Sequence, residues 1–336
     1  MKIAAIAYSR SRREELGQFL TTPRVADFMV SMFAPLPQTV RLLDAGAGAG
    51  ALTVAFVSRV CRQQEGVRAI EATLYELDPD ILNALSATMR GCQRLCMAAS
   101  IRFTFTIHCA DFIQEMSARL AGDLFGSLPP AFDAAIVNPP YRKMGTASAE
   151  RRALRAVGVE TSNLYTGFIA LVQRLLVPGG QVVGITPRSF CNGAYFRPFR
   201  EDFLSHLELR RLHVFDSRHA AFRDDSVLQE NIIFHAVKGR TPPRELMVSS
   251  SSGNPDDDIT ERVVPFSEIV HPHDMEKFIH IPSTASHTAA KESMSGLSCS
   301  LASLGMTVST GRVVDFRVKD ALRQEPERGT VPLLYP

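Results

Sequence analysis

Five short apolar runs, Thr39–Asp44, Ala72–Glu76, Arg102–Ile107, Phe132–Val137 and Gln181–Thr186, alternate with stretches of helical period. Those stretches are Ala51–Cys61, Pro79–Arg94, Ile113–Leu120 and Asn163–Leu176. A further helix is expected ahead of them: Val25, Phe28, Met29 and Met32 recur at helical spacing, Thr21 or Thr22 suits the N-cap, and Pro23 suits the first helical position. Asn231–Val237 reads as a late strand near a sheet edge. Strands and helices in this alternation predict an α/β fold with a doubly wound, Rossmann-like sheet. Such sheets bind ligands at the carboxyl ends of their strands, and here the polar clusters follow the strands.

The chain has 336 residues, which suggests about two domains or one large one with an extension. No run approaches the ~20 apolar residues that span a bilayer. The N-terminus lacks the charge order and cleavage site of a secretory signal, and six cysteines without a CxxC pair read as reduced thiols, so a cytoplasmic location is expected. After about Gly239 the texture changes: Thr241-Pro-Pro243 and Ser249–Asp258 read as loops, Val263–Val270 as a short strand interrupted at Pro265, and Ser283–Ser303 as small and polar. The expected division is an extension over 1–16, an α/β domain over 17–240 and an irregular region over 241–336, whose roles the motifs below suggest. That last region is expected to be incomplete, since Val331–Pro336 shows no sign of a finished domain.

Four motifs carry chemistry. After the first strand, Asp44-Ala45-Gly46-Ala47-Gly48-Ala49-Gly50 joins strand to helix with glycines at alternate positions. Glycine lets the backbone approach a ligand closely. An acid in front of the glycines would repel a phosphate and suits an amine-bearing ligand such as S-adenosylmethionine. Glu76 ends the second strand, where a carboxylate can accept both hydroxyls of a ribose. Asp78 is the other acid there and is expected to cap the next helix. Asp111 ends the third strand and could accept from the exocyclic adenine amine of such a cofactor or cap the following helix.

The fourth motif, Asn138-Pro139-Pro140-Tyr141, closes the fourth strand. Two prolines fix φ and remove N–H donors, so the bend can project oxygens with little freedom. The Asn138 side-chain oxygen and the Pro139 carbonyl can together accept both hydrogens of a planar NH2 group. That draws the nitrogen toward a pyramidal geometry and frees its lone pair to attack an electrophilic methyl, by orientation and electrostatics alone. The Tyr141 ring offers a planar substrate a stacking face.

Taken in order, Leu42–Gly50, Glu76, Asp111 and Asn138–Tyr141 resemble the motifs of class I S-adenosylmethionine-dependent N6-adenine DNA methyltransferases. Gly17–Pro23 resembles the N-terminal cofactor motif of their gamma arrangement, in which target recognition follows catalysis. Asn163–Phe168, Ile185–Phe196 and Val227–Ile233 are similar to type II restriction–modification enzymes; the resemblance covers about 17–237, with a weaker match at Val308–Gly311. It implies cofactor contacts by Thr21, Glu76, Asp111 and the Asp44–Gly50 turn, and it implies that Phe196 packs on a flipped base opposite Tyr141. One departure is the 32-residue spacing from Asp44 to Glu76, longer than the ~20 of compact nucleotide folds.

Double-stranded DNA is the expected partner, with a cognate restriction endonuclease as a second. An adenine amine inside a duplex cannot reach a cleft at a sheet edge and must be flipped out. Arg142, Lys143, Arg151, Arg152 and Arg155 follow Tyr141 and could hold phosphates; a solvated charged helix is the competing reading. Arg197 and Arg200 carry the same two readings. Net charge is only +2, so distribution rather than sum would matter. Cys92 and Cys96 lack a second ligand pair, as do His271 and His273, so no metal is expected. Cysteine-based C5 chemistry would need a Pro-Cys pair, which is absent, and Ser189 and Cys191 have no evident base. The competing functions are methylation of a protein glutamine amide or ribosomal-RNA base, a catalytically silent DNA-binding subunit and, as a minor option, N4-cytosine methylation.

Overall fold

A computed structural model describes residues 21–63, 66–122, 130–215, 230–251 and 259–281, with scattered positions beyond 298. The 1–16 extension, Gly17–Leu20, Val227–Gln229, Val308–Gly311, residues 331–336 and most of 283–303 lie outside the described residues.

Among the described residues nine strands form one sheet: β1 (Thr39–Ala45), β2 (Ala69–Glu76), β3 (Arg102–Cys109), β4 (Phe132–Val137), β5 (Leu176–Pro187), β6 (Leu207–Phe215), β7 (Asn231–Lys238), β8 (Glu245–Ser251) and β9 (Thr260–Pro265). The helices that matter here are α1 (Pro23–Ser31), α2 (Ala51–Gln63), α3 (Leu82–Ala98), α4 (Phe112–Ala121), α5 (Ala149–Ala156), α6 (Leu164–Leu175) and α7 (Arg197–His206). Strand order is β3-β2-β1-β4-β5-β7-β6-β8-β9. The first five are parallel, β7 runs antiparallel between β5 and β6, and β9 is an antiparallel edge.

Alternation along the strands divides the core into two layers. Val40, Leu42 and Ile136 face α1, α2 and α3, while Leu43, Ala45 and Val137 face α4, α5, α6 and α7. Both faces of the central strands are thus covered, which is why those strands read as nearly unbroken apolar runs. Order reverses at β1: the chain goes to β2 and β3 on one side and returns to β4 on the other. The crevice above that reversal is where an open α/β sheet binds ligands.

The later region departs from expectation. Ser249–Ser251, expected as loop, belongs to β8, which lies parallel to β6. The strand expected over Val263–Val270 runs over Thr260–Pro265; Pro265 ends it, and Phe266–Ile269 is a helical turn. The sheet therefore continues past residue 240. The chain divides into compact units of residues 1–283 and 284–336. In the second, the described part is a short turn at Ala302–Leu304, where the Met306 amide donates to the Leu301 carbonyl at 2.9 Å. Among the described residues, no helix is long and apolar enough to cross a membrane.

Candidate functional site

The glycine turn leaves β1 in a left-handed conformation that side chains resist: φ is +82° at Gly46, +55° at Gly48 and +88° at Gly50. The amides of Gly46 and Ala47 both donate to the Tyr75 carbonyl, at 2.9 and 2.8 Å, pinning the turn to β2. Gly50 also needs its missing side chain. A Cβ there would sit 2.8 Å from the Met89 terminal methyl and 3.0 Å from Leu85 on α3.

Asp44 is 1 % exposed. One carboxylate oxygen accepts from the Thr53 hydroxyl at 2.6 Å; the other, Oδ1, is buried with no hydrogen-bond partner. A buried, half-satisfied carboxylate is costly. Burial accordingly pushes its pKa up to about 7. Such an oxygen is suited to a cationic or N–H donor arriving from outside the chain.

Glu76 is 2 % exposed, and burial raises its pKa. Its Oε2 accepts from the Gly48 amide and its Oε1 from the Asp78 amide, each at 2.8 Å. The carboxylate thus ties the glycine turn to the end of β2. The Leu77 backbone N–H is a further donor to this carboxylate, which has about four lone-pair positions in all. Asp78 caps the turn Pro79–Ile81 by accepting from the Asp80 amide at 3.1 Å, as expected of it. Asp111 caps α4 by accepting from the Gln114 amide at 3.0 Å, at the carboxyl end of β3.

The bend after β4 lies against the glycine turn. A Cβ on Gly46 would be 3.9 Å from the Asn138 carbonyl oxygen and 3.8 Å from the Phe168 ring. The two loops are neighbours on one sheet edge, with Phe168 of α6 beside them. Asn138 donates from Nδ2 to the Thr21 hydroxyl at 2.9 Å. The Tyr141 hydroxyl donates toward Asn138 Oδ1 at 3.1 Å and lies 3.3 Å from the Ile185 carbonyl. Burial holds this phenol protonated, far above its ordinary pKa. The chain beyond Tyr141 is fastened to the start of α6 by the Leu164 amide on the Arg142 carbonyl, 2.9 Å, and the Met144 amide on the Ser162 carbonyl, 2.7 Å.

The other expected residues sit as follows. Phe196 is 7 % exposed and packs on Tyr165, ring centroids 5.8 Å apart; Tyr165 in turn meets Tyr141 edge-on at 6.2 Å. Tyr165 thus contacts both rings that were expected to sandwich a base. The exposed ring of this segment is Tyr195, at 88 %. Arg151 and Arg155 lie on α5 and share Glu160, each at 2.6 Å, which pushes the Glu160 pKa down to about 2; Arg142 pairs with Glu150 at 3.0 Å. Arg152 donates to the Ala147 carbonyl, and Lys143 is exposed. Arg142, Arg151 and Arg155 thus have intramolecular partners that a phosphate would have to displace. Arg197 pairs with Glu201 and Glu276. The phosphate reading of Arg200 is corrected: its side chain is 0 % exposed and donates to backbone carbonyls. Thr53 and Tyr165 were missed. A lone hydroxyl on the buried face of an apolar helix was the available signal for Thr53. Among the described residues, no group of three or more His, Cys, Asp or Glu is placed to hold a metal.

Comparison with known proteins shows what the chain is similar to. Residues 106–222 match the family model described as Eco57I restriction-modification methylase. The chain is 40 % identical over 324 residues to the type II methyltransferase M.PstI of Providencia stuartii, covering 96 % of this chain and 63 % of that one. It is 41 % identical over 327 residues to the type II methyltransferase M.BsuBI of Bacillus subtilis, covering 96 % and 64 %. The chain thus spans somewhat less than two thirds of the length of these relatives. Its fold matches the methyltransferase subunit of a type I restriction-modification system from Streptococcus thermophilus, with a TM-score of 0.51, 16 % identity and coverage of 87 % and 58 %.

Proposed function

We infer, from the premise that this chain is a homologue of type II restriction–modification methyltransferases along nearly its whole length, that it methylates N6 of an adenine flipped out of double-stranded DNA. The activity would be the modification half of a restriction–modification system, with a cognate endonuclease as functional partner. The observation that carries this reading is the close approach of the Asn138–Tyr141 bend to the Asp44–Gly50 turn at Gly46.

S-adenosylmethionine, when bound, supplies an electrophilic methyl group on a sulfonium. The residues present fit it: Asp44 Oδ1 awaits a donor, the glycine turn permits close approach, and Glu76 and Asp111 stand at the next two strand ends. Asn138 Oδ1 and the Pro139 carbonyl accept the two hydrogens of the adenine amine. With that methyl group supplied, the two acceptors would hold the amine nitrogen with its lone pair out of conjugation and facing the electrophilic carbon, and one N–H proton would pass to solvent. The Tyr141 ring stacks on the extruded base, offsetting part of the few kcal/mol that extrusion costs. Lys143 and the arginines of α5 would hold the flanking phosphates, exchanging carboxylate partners for them.

The test is transfer of a tritiated methyl group to unmethylated duplex DNA, followed by nucleoside analysis. Label in N6-methyladenine is the expected result. Label in N4-methylcytosine would move the target, and label in protein or RNA would overturn the DNA reading. A silent DNA-binding subunit would bind DNA and transfer nothing.

Asp44 adds a pH dependence. Its folded pKa of about 7 lies above the ordinary carboxylate value near 3.9, so without ligand its contribution to stability is lost as pH rises across that window. A cationic ligand favours the ionised form, so binding below pH 7 must expel a proton. S-adenosylmethionine affinity, measured by equilibrium dialysis, should rise roughly tenfold between pH 6 and 7.5. Asp44→Asn should flatten that rise; an unchanged slope in the variant would show that another group titrates.

A further inference from the structure

We propose that Thr21 is a positioning residue: its hydroxyl holds the Asn138 amide in the orientation that turns Oδ1, rather than the NH2, toward the base amine. The inference rests on the methyl-transfer reading above and assigns Thr21 a role separate from cofactor contact.

The two residues are 117 positions apart, and Asn138 Nδ2 donates to Thr21 Oγ1 at 2.9 Å. Thr21 is delivered to that place by a stiff local structure. Pro23 opens α1, and the residue before a proline is biased to extended backbone; Thr22 has φ −65° and ψ 152°. Thr22 then caps the helix, accepting the Val25 amide on its hydroxyl and the Ala26 amide on its carbonyl. Val25, Ala26, Met29 and Val30 bury the other side of α1 in the core. Thr21 is therefore the last residue before a well-anchored helix start.

The chemistry needs one end of the amide. A half-turn of the Asn138 amide exchanges its oxygen for its NH2, and a base amine would then meet a donor where it needs an acceptor. Tyr141 alone does not settle the choice. Its hydroxyl lies between Asn138 Oδ1 and the Ile185 carbonyl; by donating to the carbonyl it could present its own oxygen to an NH2 group. In the fold the nitrogen end meets Thr21 Oγ1 at 2.9 Å and the oxygen end meets the Tyr141 hydroxyl at 3.1 Å, and Thr21→Val removes the first of these two bonds. A misdirected acceptor costs rate without weakening ligand binding.

The experiment compares Thr21→Val, which keeps the shape and removes the hydroxyl, with Thr21→Ser, which keeps the hydroxyl. Single-turnover methyl transfer at saturating S-adenosylmethionine should fall about 10- to 100-fold in Thr21→Val, with cofactor dissociation constant within about twofold of the parent chain. Thr21→Ser should recover most of the rate. An unchanged rate in Thr21→Val, or a loss that disappears on raising the cofactor, overturns the proposal. The parent chain on the same duplex separates the two claims, since a parent that transfers nothing to DNA defeats the methyl-transfer reading instead. Independently of activity, the Asn138 side-chain NH2 resonance, assigned by its loss in Asn138→Ala, should shift in Thr21→Val and return in Thr21→Ser. A resonance that does not move overturns the proposal in either case.

Discussion

Asn138→Ala should reduce single-turnover methyl transfer by at least about a thousandfold, roughly 4 kcal/mol of barrier, while S-adenosylmethionine affinity stays within about twofold. The substitution removes the side-chain acceptor and leaves the Pro139 carbonyl alone to meet an NH2 group that presents two hydrogens. The bonds it deletes inside the protein, to Thr21 and from Tyr141, are part-buried and contribute only about 1 kcal/mol each to stability. Transfer assays with equilibrium cofactor binding separate the outcomes. Near-parental turnover would remove Asn138 from the amine-acceptor role. Lost cofactor binding would make it part of the cofactor site.

The second large effect concerns stability. Arg200→Ala should destabilise the fold by about 4 kcal/mol and lower the melting temperature by roughly 6–7 °C. The guanidinium donates to the carbonyls of Phe190 and Gly193, at 3.0 and 2.7 Å, and to the Glu276 carbonyl from two nitrogens at 2.9 and 2.8 Å. It also lies over the Phe278 ring at 4.8 Å. Truncation would strand three carbonyls and open a cavity where the 188–196 segment meets the 274–278 segment. Arg155→Ala is the contrasting case, since its side chain is exposed and shares Glu160 with Arg151. It should leave the melting temperature unchanged and reduce the salt dependence of DNA binding by about one ion. A thermal melt of Arg200→Ala matching the parent would contradict the assignment of Arg200 as a buried pin.

The difference between those two arginines shows where sequence reasoning stops. Arg197 and Arg200 stand in one basic cluster, but helical geometry turns Phe199, Arg200 and Phe203 inward and leaves Arg197 at the surface. The partners that satisfy Arg200 are backbone carbonyls up to 76 residues away, and nothing local marks them. Strands β1, β4 and β5 were legible because helices cover both faces and make them largely apolar, and β2 was legible from Ala72 on; β7 was legible as a strand, but it lies inside the sheet rather than near the expected edge, because β6, β8 and β9 extend the sheet beyond it. β3, an edge strand, was legible through its alternation of apolar and polar residues. β6 was not: Arg210 and Arg211 interrupt its period of two, where the pairing with β7 shifts register between Leu209 and Arg211. β8 was hidden by its serines. Ser249 and Ser251 are buried because they hydrogen-bond the two ring nitrogens of His213, at 2.9 and 3.1 Å, so polar side chains stand where apolar ones were sought.

The site divides in the same way. The residue types at the strand ends could be read because each strand end demands a turn with its own local residue preferences. Their pairings could not. That Glu76 accepts from Gly48, that Thr53 donates to Asp44, and that Thr21 accepts from Asn138 depends on contacts at ångström scale between separate elements. Phe196 is the clearest limit. Its place beside Tyr141 was inferred by resemblance, and in the fold Tyr165 lies in contact with both.

On the proposed reading the double-proline bend presents its two acceptors to an extruded base amine beside the glycine turn. A crystal structure of the chain with duplex DNA and an unreactive amine analogue of S-adenosylmethionine tests it most directly. The account predicts an adenine rotated out of the helix, with its exocyclic nitrogen within about 3.2 Å of both Asn138 Oδ1 and the Pro139 carbonyl oxygen. A complex in which every base stays stacked, or in which the extruded amine lies away from Asn138, would contradict it.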